Sequence, residues 1–190
     1  MRTDKHIQFG AGDCVGEHWR NFDASLSLRI QAIPVLGKLM LSLTGRSPFP
    51  VGIEYGDILH GLPIAENSAA CVYCSHVLEH LSYEDARLAL ANSYQMLGEG
   101  GVLRLVVPDL EYYAKSYTSG VAEAPEFLMA TGLGRIEKRK GIIGSLIASL
   151  GRSDHLWMWD FDSPSKLLAD SGFRMIRRAQ FGDGADPLFR

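Results

Sequence analysis

The chain has 190 residues, 46% of them hydrophobic and 22% charged, enough for one globular domain burying roughly 70% of its unfolded surface. A formal net charge of -3 gives no reason to expect nucleic acid as a partner, and three cysteines are too few for a disulfide scaffold. The longest apolar stretch, Leu26 to Leu43, carries Arg29, Gln31, Pro34, Gly37 and Lys38, so no transmembrane segment is expected.

The N-terminus holds Arg2, Asp4 and Lys5 and then enters a strand, which is not the pattern of a signal peptide. A cytoplasmic protein is the expectation. Cys71 and Cys74 have Cys-x-x-Cys spacing, but no second half-site accompanies them, and strand alternation points the two thiols to opposite faces. With Cys14 they read as free thiols in a reducing compartment.

His6 to Phe9 reads as a short buried strand stopped by Gly10-Ala11-Gly12, and Trp19 to Asp23 as the next strand. A Gly-x-Gly turn followed by an acid is the outline of a nucleotide-binding βα turn. Alone it fits a dinucleotide as well as a single adenosyl group. Only Gly10 to Trp19 separate the two strands, whereas a parallel crossover normally takes a dozen residues or more, so a shortened crossover is expected.

Residues 24–50 form an apolar insert broken by Pro34 and Gly37, read as a helical cap or dimer surface. Val51 to Ile58 alternates as a strand ending at Asp57, and Ala69 to Ser75 reads as a strand covered on both faces. Ser82 to Asp85 forms a capping box opening a helix, which Gly98, Gly100 and Gly101 stop. Val102 to Val107 is the plainest strand, ended by Pro108-Asp109.

Residues 112–152 read as the least regular part, with a basic run at Arg135 to Lys140 best taken as a solvated loop and an apolar segment at Ile142 to Leu150. Ser163-Pro164 predicts the N-cap and first turn of a last helix, and Phe173 to Phe181 a final strand. This alternation predicts an α/β fold: a doubly wound, mostly parallel sheet with helices on both faces. One domain spans 1–190, with variable inserts at 24–50 and 112–152. Little chain follows Phe181, so the C-terminal strand pair is expected to be reduced, leaving a sheet edge that a homodimer would cover.

Several segments occur in an order that resembles the class I S-adenosylmethionine-dependent methyltransferases, particularly the methyltransferase type 11 group. They are Phe9-Gly10-Ala11-Gly12, Asp57-Ile58 with Leu62-Pro63, Tyr73 to Leu81, Leu97 to Leu103, Pro108-Asp109-Leu110 and Ala169 to Phe173. The resemblance implies a Rossmann-like methyltransferase fold, S-adenosylmethionine as cofactor, and methyl transfer to an oxygen or nitrogen of a small molecule or glycan. It implies that Gly10, Ala11 and Gly12 pass under the cofactor, that Asp23 accepts the ribose hydroxyls, and that Asp57 accepts the adenine amine with Ile58 on the ring. Ser75 and His76 would border the methyl donor. The chain departs from the family at Gln8, where an acid is usual, and at Cys14, where a third glycine often stands; Gln8 keeps a hydrogen-bonding role towards the cofactor but cannot neutralise its ammonium.

Methyl transfer from a sulfonium is a displacement, so the protein mainly positions two reactants and takes a proton from the acceptor where needed. His76, His80, Asp109 and His155 are the candidate bases. His76-Val77-Leu78-Glu79-His80 also fits the His-x-x-Glu-His pattern of zinc peptidases, but a strand directly before it and a new helix at Ser82 leave no room for the long helix that pattern needs. Glu79 and His80 are therefore read as capping and hydrogen-bonding residues, and no metal is assigned. A non-catalytic protein of the same fold, binding cofactor or partner, is the alternative that Gln8 and Cys14 keep open.

Overall fold

His6–Phe9 (β1) and Arg20–Asp23 (β2) run parallel, with Ile7 beside Arg20 and Phe9 beside Phe22. The computed structural model describes residues 5–44, 47–134, 155–184 and 186–189. No helix joins β1 to β2. The crossover is made of turns and held by the buried amide of Asn21, whose Nδ2 donates to the carbonyls of Trp19 (2.9 Å) and Gly16 (3.2 Å) while its Oδ1 accepts from the Gly16 amide (3.1 Å). One saturated side chain replaces a docked helix, which is how the shortened crossover is achieved.

Ile53–Tyr55 (β3), Ala69–Ser75 (β4) and Leu97–Val106 (β5) complete a five-stranded, all-parallel sheet in the order β3-β2-β1-β4-β5. The expected doubly wound α/β fold is the one observed. Strand order reverses between β1 and β4, and in open α/β sheets ligands bind outside the strand tips at that reversal.

The insert after β2 is a helical pair, Leu26–Gln31 (α1) and Pro34–Thr44 (α2). Gly37 lets α2 close on α1, because a Cβ there would lie 2.7 Å from the Gln31 carbonyl. The pair leaves Leu26, Ile33, Val35, Leu36 and Leu39 exposed. Tyr83–Met96 (α3) starts at Ser82, whose hydroxyl accepts from the Asp85 amide, and buries Ala86, Ala89, Leu90 and Met96 in the core with Ile7, Phe9, Phe22 and Val72. No helix among the described residues is long and apolar enough to cross a membrane.

Three expectations are corrected. Phe173 to Phe181 is not a strand: Met175 takes φ 53, which breaks an extended run, and Met175 and Phe181 stay exposed. Residues 112–134 are more regular than expected, because Leu110–Thr118 (α4) and Ala124–Ala130 (α5) form there. Neither helix buries a residue fully, so neither carried a strong apolar period. Asp162–Asp170 (α6) begins one residue before Ser163, and Asp160 rather than Ser163 does the capping, accepting both the amide (2.8 Å) and the hydroxyl (2.5 Å) of Ser163. The runs Arg135 to Lys140 and Ile142 to Leu150 lie outside the described residues.

Candidate functional site

The β1 tip turns on two glycines in the left-handed region, Gly10 at φ 66 and Gly12 at φ 52. A Cβ on Gly10 would overlap the Val77 side chain, so β1 and the turn after β4 can meet only without one. Above Gly12 a Cβ would meet nothing within 4 Å, so that face of the turn is open. The turn is tied to β2 at both levels. The Ala11 amide donates to the Phe22 carbonyl at 3.0 Å, and the Gly12 amide donates to Asp23 Oδ2 at 2.9 Å.

Asp23 is buried, and its Oδ1 accepts the Ser25 amide at 2.8 Å. Each carboxylate oxygen thus takes one backbone amide and keeps a second lone pair for another donor. Gln8 is also buried, and its Nε2 reaches the Cys14 carbonyl at 3.5 Å. The Gln8 side chain is thus directed at the loop that follows β1.

At the β3 tip, Asp57 caps a single 3₁₀ turn, Ile58–His60: Oδ1 accepts the Leu59 amide at 2.9 Å, and Oδ2 lies 2.9 Å from His60 Nδ1. Ile58 is buried in the main core, held from α3 by Asn92, which donates to its carbonyl at 2.7 Å.

The β4 tip carries the densest chemistry. His76 adopts φ 55, and its amide donates to the Val106 carbonyl at 2.9 Å, so the residue is held where a non-glycine rarely sits. Its ring is 63% exposed, and Nδ1 lies 3.0 Å from Oε1 of Glu79, which is wholly buried. A carboxylate only accepts, so Nδ1 carries the proton and Nε2 keeps its lone pair. Leu78–His80 forms one 3₁₀ turn, so the His-x-x-Glu-His run does not lie on a continuous helix.

His155, distant in sequence, lies against His80 with ring centroids 4.9 Å apart. Two contacts bring it there. The amides of Leu156 and Trp157 donate to the Glu79 carbonyl at 2.7 and 3.1 Å, and His155 Nδ1 donates to the Thr131 carbonyl at 2.7 Å. Gly132, at φ 68, makes room for the ring, since a Cβ there would sit 2.6 Å from His155 Nδ1. Burial pushes the His80 imidazole below its ordinary pKa, partly offset by the charge of Glu79. Trp159 is buried beneath Tyr83 and anchors this segment, pairing with Asp109 and accepting the Leu110 amide at 2.8 Å.

Asp109 is committed elsewhere. It caps α4 by accepting the Glu111 amide at 3.0 Å, and Arg178 Nη1 binds its other oxygen at 3.0 Å. Among the sequence-predicted residues, the structure therefore sets Gly10, Ala11, Gly12, Asp23, Asp57, Ser75 and His76 at the tips of β1 to β4, and it joins His80 to His155. Glu79 is what sequence reasoning undervalued. The His-x-x-Glu-His run was visible, but nothing in it distinguishes a capping glutamate from a buried carboxylate paired with His76.

Residues 36–105 match a family model described as a methyltransferase domain. The match covers little more than a third of the chain. The matched segment holds Asp57 and Ser75 to His80 but begins after the Gly10–Gly12 turn and Asp23, so the reading of that turn rests on its own geometry. No curated protein is similar enough in sequence to count as a relative.

Among solved structures, the chain is similar to a Thermotoga maritima S-adenosylmethionine-dependent methyltransferase described as a possible histamine N-methyltransferase. That likeness has 13% identity and a TM-score of 0.47, covering 90% of this chain and 64% of that one. A putative methyltransferase of Haloferax volcanii, solved with a methyltransferase activator, gives 12% identity, a TM-score of 0.48 and coverage of 90% and 61%. PigF, solved with S-adenosylhomocysteine, gives 19%, 0.47, and coverage of 91% and 51%. The chain thus spans between 51% and 64% of the length of these structures.

Proposed function

We propose that this domain binds S-adenosylmethionine across the tips of β1 to β4 and directs its methyl group to an oxygen or nitrogen of a small-molecule or glycan acceptor. The observation that carries the reading is the β1–β2 corner. There the Gly12 and Ser25 amides organise Asp23, leave each carboxylate oxygen one lone pair, and leave the space over Gly12 open. Two parallel acceptors beside a side-chain-free turn suit the vicinal hydroxyls of a ribose. Asp57 has one oxygen on its own turn and the other on an exposed histidine, so an adenine amine would compete only with His60. Ile58 is turned into the core, and its share in adenine packing is limited to whatever edge the turn leaves bare.

The sulfonium supplies an electrophilic methyl carbon. With the cofactor bound, the acceptor atom would take that methyl as the carbon–sulfur electron pair went to sulfur, and the acceptor proton would need a base on this chain. His76 is our choice among the four candidates. The buried Glu79 carboxylate fixes its ring and tautomer, and the remaining Nε2 is on an exposed ring at the β4 tip. Asp109 is withdrawn from that role by the α4 cap and Arg178.

Calorimetric titration with S-adenosylhomocysteine is the test. Saturable binding with one site per chain is expected. No binding at millimolar ligand would end the methyltransferase reading and favour the non-catalytic alternative.

A further inference from the structure

We propose that Glu79, His80 and His155 form a binding site for a divalent transition-metal ion of the zinc class. Each residue offers one ligand atom, and the three atoms lie within 4.8 Å of one another. Ligand atoms about 2.1 Å from a tetrahedral ion stand about 3.4 Å apart, so side-chain rotations of little more than 1 Å would close the set.

The buried carboxylate is the second observation. Glu79 is fully enclosed, its Oε1 is held by His76, and its Oε2 has no hydrogen-bond partner among the described residues. A wholly buried carboxylate oxygen without a donor is costly, and a cation is what most directly offsets it.

The outer contacts are those a metal site needs. His155 donates Nδ1–H to the Thr131 carbonyl, which leaves Nε2 as its lone pair, and a backbone carbonyl on the far nitrogen is the usual brace of a ligating imidazole. Glu79 is oriented in the same way by His76. The Glu79 carbonyl, through the Leu156 and Trp157 amides, holds the His155 segment against the turn that bears the other two ligands. Gly132 supplies the space the His155 ring occupies.

Two imidazoles and one carboxylate suit Zn(II), Co(II) or Fe(II) and do not suit Mg(II) or Ca(II), which take oxygen ligands. Three protein ligands leave a position open, the pattern of an ion that receives water or a substrate atom. That last step alone rests on the methyl-transfer reading: an acceptor with an ionisable O–H or N–H would enter the open position beside His76.

The experiment uses the full chain without an affinity tag, stripped with a chelator and titrated with Co(II) and then Zn(II), followed by calorimetry and visible absorption. One equivalent of each is expected, with the ligand-field bands of a nitrogen–oxygen site and no thiolate charge-transfer band. His155→Ala and His80→Ala should each weaken binding by more than about 100-fold, since loss of outer-sphere partners alone costs 10- to 100-fold. Glu79→Gln should do the same where circular dichroism shows that it folds; the two histidine variants carry the test if it does not. Mg(II) should not compete.

Failure to bind either ion overturns the proposal. So does binding that survives His155→Ala, or binding with a thiolate band, which would place the ion at His6, Cys71 and Asp186 instead. The readout is metal binding, so it stands or falls separately from cofactor binding.

Discussion

Replacing Asp23 with asparagine probes the corner on which the functional reading turns. Asp23 is 8% exposed and accepts backbone amides on both oxygens, from Gly12 at 2.9 Å and Ser25 at 2.8 Å. Asparagine keeps the shape and one acceptor but turns an NH2 towards the other amide. One charge-assisted bond is lost and two donors are left facing each other. Such bonds contribute about 1.5–3 kcal/mol, so stability should fall by that amount, and the melting temperature of a chain this size by about 3–12 °C. The same carboxylate is the proposed ribose ligand, so affinity for S-adenosylhomocysteine should fall about 10- to 100-fold, or about 1.4–2.7 kcal/mol. Scanning calorimetry gives the first quantity and titration calorimetry the second. A melting temperature within about 1 °C of wild type would refute the bracing role. A lowered melting temperature with unchanged ligand affinity would show that Asp23 holds the turn and does not meet the ligand.

Gly10→Ala should abolish cofactor binding and destabilise the chain by about 1–3 kcal/mol through its positive φ and the overlap with Val77. Adding Val77→Ala should recover part of the stability, and strictly additive losses in denaturant unfolding would refute the overlap. At the other end of the sheet, Asp186 accepts from His6 (2.8 Å) and Cys71 (3.3 Å), and the C-terminal turn sets Phe189 5.3 Å from Trp19. The hydrogen bond from His6 holds the Asp186 carboxyl below its ordinary pKa of 3.8. Its contribution is therefore complete above that value and is lost as pH falls through the lower folded value. Trp19 fluorescence should report release of the turn on acidification below 3.8, and acid unfolding that leaves the His6–Asp186 contact intact until the rest of the chain has unfolded would refute this. Burial first, and Asp186 second, push the Cys71 thiol up to about 12, and Cys74 is fully buried. A disulfide reagent at about pH 8 should consume one thiol per native chain, the exposed Cys14, and three after unfolding; a second fast thiol in the native chain would refute this.

The parts of the fold most legible in the sequence were those where one physical signal acted alone. The apolar run through Cys71 and Val72 read as a strand covered on both faces, as β4 is, and Ser82 with Asp85 marked the start of α3. The order of glycines and acids placed the strand tips. Other features needed information that the sequence spreads over long separations. Phe173 to Phe181 alternates well enough for a strand, but Arg177 and Arg178 are drawn to Asp183, Asp109 and Glu111, and Met175 turns the chain. Helices α4 and α5 lie on the surface, where apolar periodicity is weak. Glu79 was visible as a letter in a motif, but its burial and its link to His155 depend on a segment far along the chain.

The helix-free crossover between β1 and β2 bears on how the chain folds. A parallel pair usually waits for a whole helix to form and dock before its strands can meet, which makes such sheets slow. Here the intervening turns close on Asn21, and every partner of that side chain lies within five residues of it. Loop closure over so short a distance is among the fastest events available to a chain. The corner that bears Gly10, Gly12 and Asp23 can therefore assemble as a local unit and offer β1 as a template on which the more distant β4 pairs.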